Sequence, residues 1–253
     1  MIFFSERPGT PFILFGELHW LLLLGTFFAA ALMYCYRKKL RQFRYKQQLR
    51  YLFAAVLFLN MAVYYIGLGF AGDYDVKRHL PLELCFVTGY LLMYILVTGN
   101  RNLYRIVYFF TIVGPLPAMI WPNLSGTFDR YVFYQFIISH HIMLLISLYC
   151  MIVLEYRVQR HDIFRAFLCG NGFFVLISII NAIWGTNFVM EQKLPDHILR
   201  LYPFLVHFNI PFFWLELCGC VFLFVALVIS IVLQREKELL PDYAQLRRKA
   251  GDL

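Results

Sequence analysis

Two adjacent histidines, His140 and His141, stand in the otherwise apolar stretch FIISHHIMLL at residues 136–145. Ionisable side chains are costly in lipid, so within membrane spans they usually face a bundle interior or a water-filled cavity. A neutral imidazole in such a place can act as a general base. We therefore expect at least one of the two histidines to line a polar cavity. The other is expected to hydrogen-bond to a neighbouring helix.

Three interpretations are compatible with this pattern. The first is covalent acyl transfer. Cys85 would be the nucleophile and His140 or His141 its base, because a cysteine reacts well only with a nearby base or a lowered pKa. Cys85 and Thr88 lie three residues apart and so share one face of a helix. An isolated cysteine in an apolar helix is, however, usually a small hydrophobic residue, and that interpretation stays open.

The second possibility is a metal site. Catalytic zinc takes three protein ligands and leaves one coordination position open. Histidines and carboxylates from separate helices can converge on such an ion, but no local HExxH spacing is present, so the pattern assigns no metal and no other cofactor. The candidate ligands are His19, His140 or His141, His207, Glu17, Glu83 and Glu216.

The third possibility is a role without catalysis, as a carrier, a lipid-binding subunit or a receptor. Several spans alone do not identify such a function. The chain also lacks the internal repeat that many transporters contain. Non-catalytic binding or transport of a lipid or small molecule, and a metal-dependent hydrolase, therefore stand as alternatives to acyl transfer.

The composition determines the class of elements that must position these residues. The 253-residue chain is 61% hydrophobic and only 15% charged, whereas about a quarter of the residues of a soluble domain are charged. The six cysteines are scattered through apolar segments, without the spacing of a disulfide framework or a zinc site. We predict an all-α polytopic membrane protein. The first residues lack the features of a cleaved signal peptide, so the first span is expected to be retained.

A helix needs about 20 mainly apolar residues to cross the hydrocarbon core of a bilayer. Seven segments meet this requirement, so we predict one transmembrane helical domain over residues 1–253 that ends in a basic tail at 235–253. The predicted spans are 11–36, 51–70, 80–98, 103–121, 131–155, 165–184 and 207–234.

The positive charges indicate the orientation of this bundle. Seventeen Lys and Arg residues fall in segments 37–50, 100–105, 156–165 and 235–250, against six in the segments on the other side. By the positive-inside rule, the N-terminus is expected outside and the C-terminus in the cytoplasm. We thus expect an integral protein of the bacterial plasma membrane with lipids as partners and no nucleic acid. Binding of anionic lipids by residues 37–50 is an alternative reason for their charge.

With this orientation, the polar residues of the spans collect at similar depths. Nearly all of them fall in the outer half of the membrane or at its middle, which predicts one polar cavity that opens outward. Satisfaction of each residue by its own neighbouring helix is the alternative. The residues expected to line the cavity, besides the histidine pair, are Glu17, His19, Glu83, Cys85, Thr88, Asn181, Asn187 and Glu216.

Five motifs in order along the chain resemble a known family. They are PFILFGELHWLLLL, HLPLELC, GPLPAMIWPN, FIISHH and NAIWGTNFVMEQKLP. Together they resemble the YwaF-like family of bacterial integral membrane proteins, which is similar to the eukaryotic transmembrane protein 164 family. The resemblance extends over residues 11–220 and implies a multi-helix membrane fold.

From the eukaryotic branch, the resemblance implies a membrane acyltransferase that acts on phospholipids. In that branch a cysteine just after a proline is paired with a histidine in the motif that matches FIISHH. The histidine corresponds to His140, with His141 as the neighbouring choice. The residue after Pro81 is Leu82, so Cys85, one helical turn further on and about 4–5 Å deeper, is the available nucleophile.

The resemblance also implies roles for three further residues. Glu83 stands where both branches tend to have a histidine, and it is expected to be an orienting carboxylate or a second acid–base group. His19 and Asn187 also match family motifs, and both are expected at the outer cavity.

Overall fold

The computed structural model describes residues 2–190, 194, 196–207 and 210–234, without the side chains of 197, 206 and 207. The predicted basic tail at 235–253 and the side chain of His207 lie outside the described residues. Within them the chain is helical and contains no strand, as predicted. The helices are α1 (Glu17–Cys35), α2 (Arg37–Gln42), α3 (Leu49–Ala71), α4 (Val76–His79), α5 (Leu84–Thr98), α6 (Arg101–Val113), α7 (Pro115–Ile120), α8 (Tyr131–Ile137), α9 (Met143–Ile152), α10 (Asp162–Trp184), α11 (Asp196–Leu201), α12 (Phe204–His207) and α13 (Pro211–Gln234).

Among the described residues, six helical segments are long and apolar enough to cross a membrane. Each coincides with one of the predicted spans, so the prediction of a polytopic membrane protein is confirmed at this level. The segments are Glu17–Cys35, Leu49–Ala71, Arg101–Ile120, Tyr131–Ile152, Asp162–Trp184 and Pro211–Gln234.

The third predicted span, 80–98, contains a shorter helix than expected. Helix α5 has 15 residues and is about 22 Å long, against roughly 30 Å of hydrocarbon. Leu80 is extended, with ψ 136°, because a following proline disfavours helical backbone. Glu83 is extended as well, with ψ 142°, so the helix begins only at Leu84.

Two of the long segments form the interior of the bundle. Of the apolar window in Tyr131–Ile152, 72% of the residues are buried, and of that in Arg101–Ile120, 56% are buried. The corresponding figure for α1 and for α10 is 17%. Most residues of α1 and α10 therefore lie outside the buried interior of the bundle.

Helix α6 supplies much of the core. Its buried side chains include the unbroken run from Val107 to Ile112, so this part of the helix is buried on every side. The helix packs against α5, α9, α10 and α13. The Tyr104 hydroxyl donates to the carbonyl oxygen of Ser147, and the Tyr108 hydroxyl donates to that of Ala226, so neither hydroxyl is left unsatisfied in the core.

Two breaks in helix geometry occur near the predicted site residues. Gly114 separates α6 from α7, and Pro115 occupies the first position of α7, where a proline has no amide to lose. The segment Tyr131–Ile152 contains a π-helical turn, Ile138–Ile142, between α8 and α9. Single π-helical turns inside α-helices are frequent at functional sites.

Residues 2–16, here called the N-terminal strap, cross the face of the bundle opposite the basic loops. The guanidinium of Arg130 donates to the carbonyl oxygens of Arg7 and Pro8. The Tyr64 hydroxyl donates to a carboxylate oxygen of Glu6 at 2.7 Å. These bonds fix the strap to α3 and to the start of α8.

Candidate functional site

His140 lies in the π-helical turn and is buried. Its Nδ1 is 2.8 Å from the carbonyl oxygen of Phe136. A carbonyl oxygen only accepts, so Nδ1 carries the proton and Nε2 holds a lone pair. No described residue hydrogen-bonds to Nε2. The ring also stacks on that of Phe136, with centroids 4.2 Å apart, and the two contacts together fix its orientation.

His141 is held by a different helix. Its Nδ1 is 2.8 Å from Oγ1 of Thr26 in α1. Thr26 donates its one hydroxyl proton to the carbonyl oxygen of Leu22, so it accepts from the histidine. His141 is therefore the same tautomer as His140, but its Nδ1 connects α1 to the interior segment.

Both ring nitrogens of His19 form hydrogen bonds within the protein. Its Nδ1 accepts from the backbone amide of Phe15 at 2.9 Å, and its Nε2 donates to the carbonyl oxygen of Met119 at 2.8 Å. Met119 lies in the last turn of α7, where carbonyl oxygens lack helical partners. Because both ring nitrogens are used, His19 has no lone pair left for acid–base chemistry.

The start of α5 holds the predicted carboxylate and thiol. Oε2 of Glu83 accepts from the backbone amide of Val189 at 2.9 Å. The Sγ atom of Cys85 packs beside Gly114, 3.3 Å from the place that a β-carbon there would occupy. A side chain larger than glycine at position 114 would therefore occupy the space in which the Cys85 thiol lies.

Asn181 holds the backbone that reaches Glu83. Its side-chain oxygen accepts from the Thr186 hydroxyl and from the Phe188 amide, and its side-chain nitrogen donates to the Phe188 carbonyl. The next residue, Val189, has φ +60°, which is a strained conformation for a β-branched side chain. Asn181 thus positions the amide that binds Glu83.

The remaining predicted residues lie elsewhere. Thr88 is fully buried, and its Oγ1 has no hydrogen-bond partner among the described residues. Glu17 is exposed in the first turn of α1, and Asn187 is exposed in the loop after α10. Glu216 accepts from the Asn171 side chain at 3.1 Å, in a small apolar groove between α10 and α13.

The hydrogen bonds thus place the predicted residues in separate groups. Two of these groups, one around His140 and one around Cys85, lie on elements that pack against each other. The π-helical turn packs against both α5 and α7, and the thiol of Cys85 lies beside the glycine that precedes α7. Among the described residues, no hydrogen bond joins Cys85 to His140. The single outward-facing cavity stays a prediction.

A buried polar network beside His140 was not predicted from the sequence. The side-chain nitrogens of Asn60 and Gln135 both donate to Oγ of Ser139, at 3.2 and 2.8 Å. The Tyr131 hydroxyl in turn donates to Asn60. Asn60 and Gln135 stand in apolar stretches, so the criterion that selected the histidines would also have selected them.

A metal centre receives no support from the described part of the chain. No three of its His, Cys, Asp and Glu side chains are grouped closely enough to hold an ion. The side chain of His207, one of the candidate ligands, lies outside the described residues.

Comparisons with known proteins give the following similarities. A model of the TMEM164 family matches residues 14–229, in agreement with the resemblance that the sequence motifs predict. A protein of Treponema pallidum (strain Nichols), described as an uncharacterized protein, is 24% identical over 204 residues, which are 78% of this chain and 82% of that protein. No solved structure matches the chain.

Proposed function

Because the chain belongs to the TMEM164 family, we propose that this multi-pass membrane protein is a phospholipid acyltransferase of the bacterial plasma membrane. In this proposal His140 is the general base. The observation that carries the assignment is the tautomer of His140, whose Nδ1–H is bound by Phe136 and whose Nε2 lone pair has no partner among the described residues. A base oriented in this way by a third group is the arrangement that activates a nucleophile.

Cys85 is the nucleophile in this proposal. The support is its position on α5, an element that packs against the π-helical turn of His140. The thiol and the imidazole do not hydrogen-bond in this structure. Catalytic hydrogen bonds commonly tighten only when the substrate is bound, so we expect the contact to form around the lipid ester.

The proposed reaction proceeds in two steps. Nε2 of His140 takes the proton of the Cys85 thiol, and the thiolate attacks the carbonyl carbon of a phospholipid ester. The ester C–O bond breaks, an acyl thioester forms, and the lysophospholipid hydroxyl leaves with the proton from Nε2. In the second step Nε2 of His140 takes the hydroxyl proton of an acceptor lipid, whose oxygen attacks the thioester carbon. A new ester bond forms, the C–S bond breaks, and Nε2 returns the proton to the Cys85 thiolate.

Glu83 is a positioning residue in this scheme. Its Oε2 is bound by the Val189 amide, while Oε1 has no hydrogen-bond partner among the described residues. Oε1 is thus available to orient a hydroxyl of the lipid backbone near the start of α5. The strained loop at Val189 supports this role, since such strain often accompanies functional sites.

The proposal also specifies seven spans and the orientation. We place the N-terminus and the N-terminal strap outside and the basic loops in the cytoplasm, with α5 as a seventh, short span. The support is the excess of Lys and Arg in the loops on one face.

The test is a search for the acyl-enzyme on the purified full chain in lipid nanodiscs. A phospholipid with an isotopically labelled acyl chain serves as donor, and a lysophospholipid serves as acceptor. We expect a mass increase of one acyl group on Cys85 that neutral hydroxylamine removes, and no such increase in Cys85→Ala. Transfer that continues at full rate in Cys85→Ala would remove the thioester from the mechanism. Full transfer in His140→Gln would refute the assigned base.

A further inference from the structure

A cavity of about 410 Å³ opens on the basic face of the bundle, between the start of α6 and the connection from α9 to α10. Small-molecule sites commonly have volumes of about 300–1,000 Å³, so this one is large enough for a compact headgroup. It is roughly 20 Å from His140 along the helix axis and plays no part in the proposed reaction. Its lining residues are Arg101, Arg105, Leu154, Glu155, Arg157 and Gln159.

Side chains from two other elements hold the wall of this cavity in place. The segment of residues 153–161, here called the α9–α10 connection, contains Tyr156, whose hydroxyl accepts from Arg50 at 3.0 Å. Val158 exchanges two hydrogen bonds of 3.1 Å with the side chain of Gln234 in α13. Glu155 in the same connection has φ +61°, a conformation that non-glycine residues rarely adopt. The cavity is thus formed by ordered backbone.

Arg105 is committed to neighbouring side chains. Its guanidinium donates to both carboxylate oxygens of Asp162, at 2.7 and 2.8 Å, and to Gln159 at 2.7 Å. Glu155 is 3.6 Å from Arg41. The charges of these side chains are therefore balanced largely within the protein.

Arg101 and Arg157 are different. Neither forms an ion pair with a carboxylate among the described residues, and both are exposed. The guanidinium of Arg101 lies over the ring of Tyr156, 5.1 Å from its centroid, a contact that restrains it without neutralising its charge. Within the part of the chain that the structure describes, two positive guanidinium groups without carboxylate partners thus line one cavity on the basic face of the bundle.

We propose that this cavity binds a phosphate group through Arg101 and Arg157. Guanidinium groups match phosphate oxygens in charge and in geometry. Basic pockets between transmembrane helices at the cytoplasmic surface bind anionic lipid headgroups, and the headgroup of an anionic phospholipid is the expected source of the phosphate. A soluble phosphate has the same chemistry, and the experiment below distinguishes the two sources.

The experiment is native mass spectrometry of the detergent-purified full chain. It is titrated separately with phosphatidylglycerol, with phosphatidylcholine and with inorganic phosphate. We expect phosphatidylglycerol to bind in preference to phosphatidylcholine. The pair of substitutions Arg101→Gln and Arg157→Gln should weaken that binding about tenfold for each arginine removed, since charged hydrogen bonds are lost.

Two controls separate recognition from general charge and from folding. Arg160→Gln removes one positive charge from the same connection outside the cavity lining, and we expect its affinity for phosphatidylglycerol to match that of the wild type. Arg101→Lys with Arg157→Lys keeps the charges and should retain part of the affinity. All variants are expected to have nearly the melting temperature of the wild type, because neither arginine forms an ion pair among the described residues and the Arg101 side chain that contacts Tyr156 is exposed.

Each outcome has a definite meaning. Equal binding of phosphatidylglycerol by the double Gln variant and by Arg160→Gln would overturn the site. So would equal binding of the two lipids by the wild type. Arginine-dependent binding of inorganic phosphate without binding of phosphatidylglycerol would support phosphate recognition and assign a soluble source.

Discussion

The imidazole of His140 donates its Nδ1 proton to the carbonyl oxygen of Phe136 at 2.8 Å, four residues earlier in the same segment. The bond fixes the tautomer, so the lone pair lies on Nε2 and not on the nitrogen that faces the helix backbone. His141, the next residue, spends its Nδ1 proton on another helix through Thr26. Adjacent histidines therefore differ in what holds them.

The first prediction concerns His140→Gln. Glutamine keeps hydrogen-bonding capacity but has no basic nitrogen, so we expect acyl transfer to fall about 10²–10⁴-fold, the usual contribution of general acid–base catalysis. The melting temperature should change little. The measurement is the rate of acyl transfer in nanodiscs, and His161→Gln, which alters an exposed histidine, is the matched control. Equal rates for the two variants would disprove the role of His140.

The second prediction concerns Asn181→Ala. The substitution removes three buried hydrogen bonds to the loop that carries Val189, and each unsatisfied group costs about 1–3 kcal/mol. We expect a lower melting temperature and faster amide exchange at residues 186–190. Asn102→Ala, at an exposed position in α6, should leave both quantities unchanged. Unchanged exchange at 186–190 in Asn181→Ala would show that the loop is held by other contacts.

The third prediction concerns the space beside the thiol. In Gly114→Ala the new β-carbon would be 3.3 Å from Sγ of Cys85, which is close enough to displace the thiol. We expect a destabilisation of about 1–3 kcal/mol, typical of overpacking, and a changed rate of acyl labelling at Cys85. Gly172→Ala introduces the same methyl group where no atom lies within 4 Å. If both alanine variants behave alike, Cys85 has more room than the structure gives it.

The fourth prediction concerns orientation. A fluorescent protein that folds only in the cytoplasm is fused after residue 253 or before residue 1. The distribution of Lys and Arg predicts fluorescence from the C-terminal fusion alone. Fluorescence from both fusions would mean an even number of spans, in agreement with six spanning helices and an α5 that does not cross. Fluorescence from the N-terminal fusion alone would reverse the assigned orientation.

The spanning helices were largely predictable because their signal is local. Long apolar runs such as 165–184 and 207–234 leave no alternative to a helix in lipid. The late start of α5 also has a signal in the sequence, since Pro81 disfavours helical backbone at Leu80. Hydropathy alone misses this signal and counts residues 80–83 as part of the span.

The sequence indicated several of the buried polar residues but not their partners, and the cavity that they are expected to line stays a prediction. A polar residue in an apolar run indicates a buried partner, and this identified His140, His141, His19 and Asn181. Their partners include a backbone carbonyl for His140, a threonine of α1 for His141 and a strained loop for Asn181. The partners of His141 and Asn181 depend on tertiary packing. Val189 in particular has a side chain that disfavours positive φ, so no sequence pattern indicates its conformation.

The last prediction concerns the attachment of the N-terminal strap. Nε2 of His79 is 3.0 Å from Oε2 of Glu6, and this carboxylate raises the pKa of His79 above its ordinary value. Burial raises the pKa of Glu6, but His79, Tyr64 and Arg78 outweigh that effect and hold the pKa below its ordinary value. Both groups lie outside the spanning helices.

The signs of the two shifts give the pH window. A raised histidine pKa contributes stability that is complete below about pH 6.5 and is lost as the pH rises through the folded-state pKa. A lowered glutamate pKa contributes stability that is complete above about pH 4.5, the ordinary value for Glu6, and is lost as the pH falls through its folded-state pKa. We therefore expect the strap to be held most firmly between about pH 4.5 and 6.5 and to loosen at higher pH.

The measurement is hydrogen exchange of residues 2–10 from pH 5 to 9, corrected for the intrinsic pH dependence of exchange. We expect protection of the strap to fall above about pH 6.5 in the wild type, by an amount equivalent to at most about 1 kcal/mol. His79→Gln should abolish this dependence, because it has no titrating group at 79. His161→Gln should retain it. Since Arg78 and Tyr64 also contact Glu6, protection should decrease without being lost, and a pH-independent wild type would exclude His79 as the titrating group.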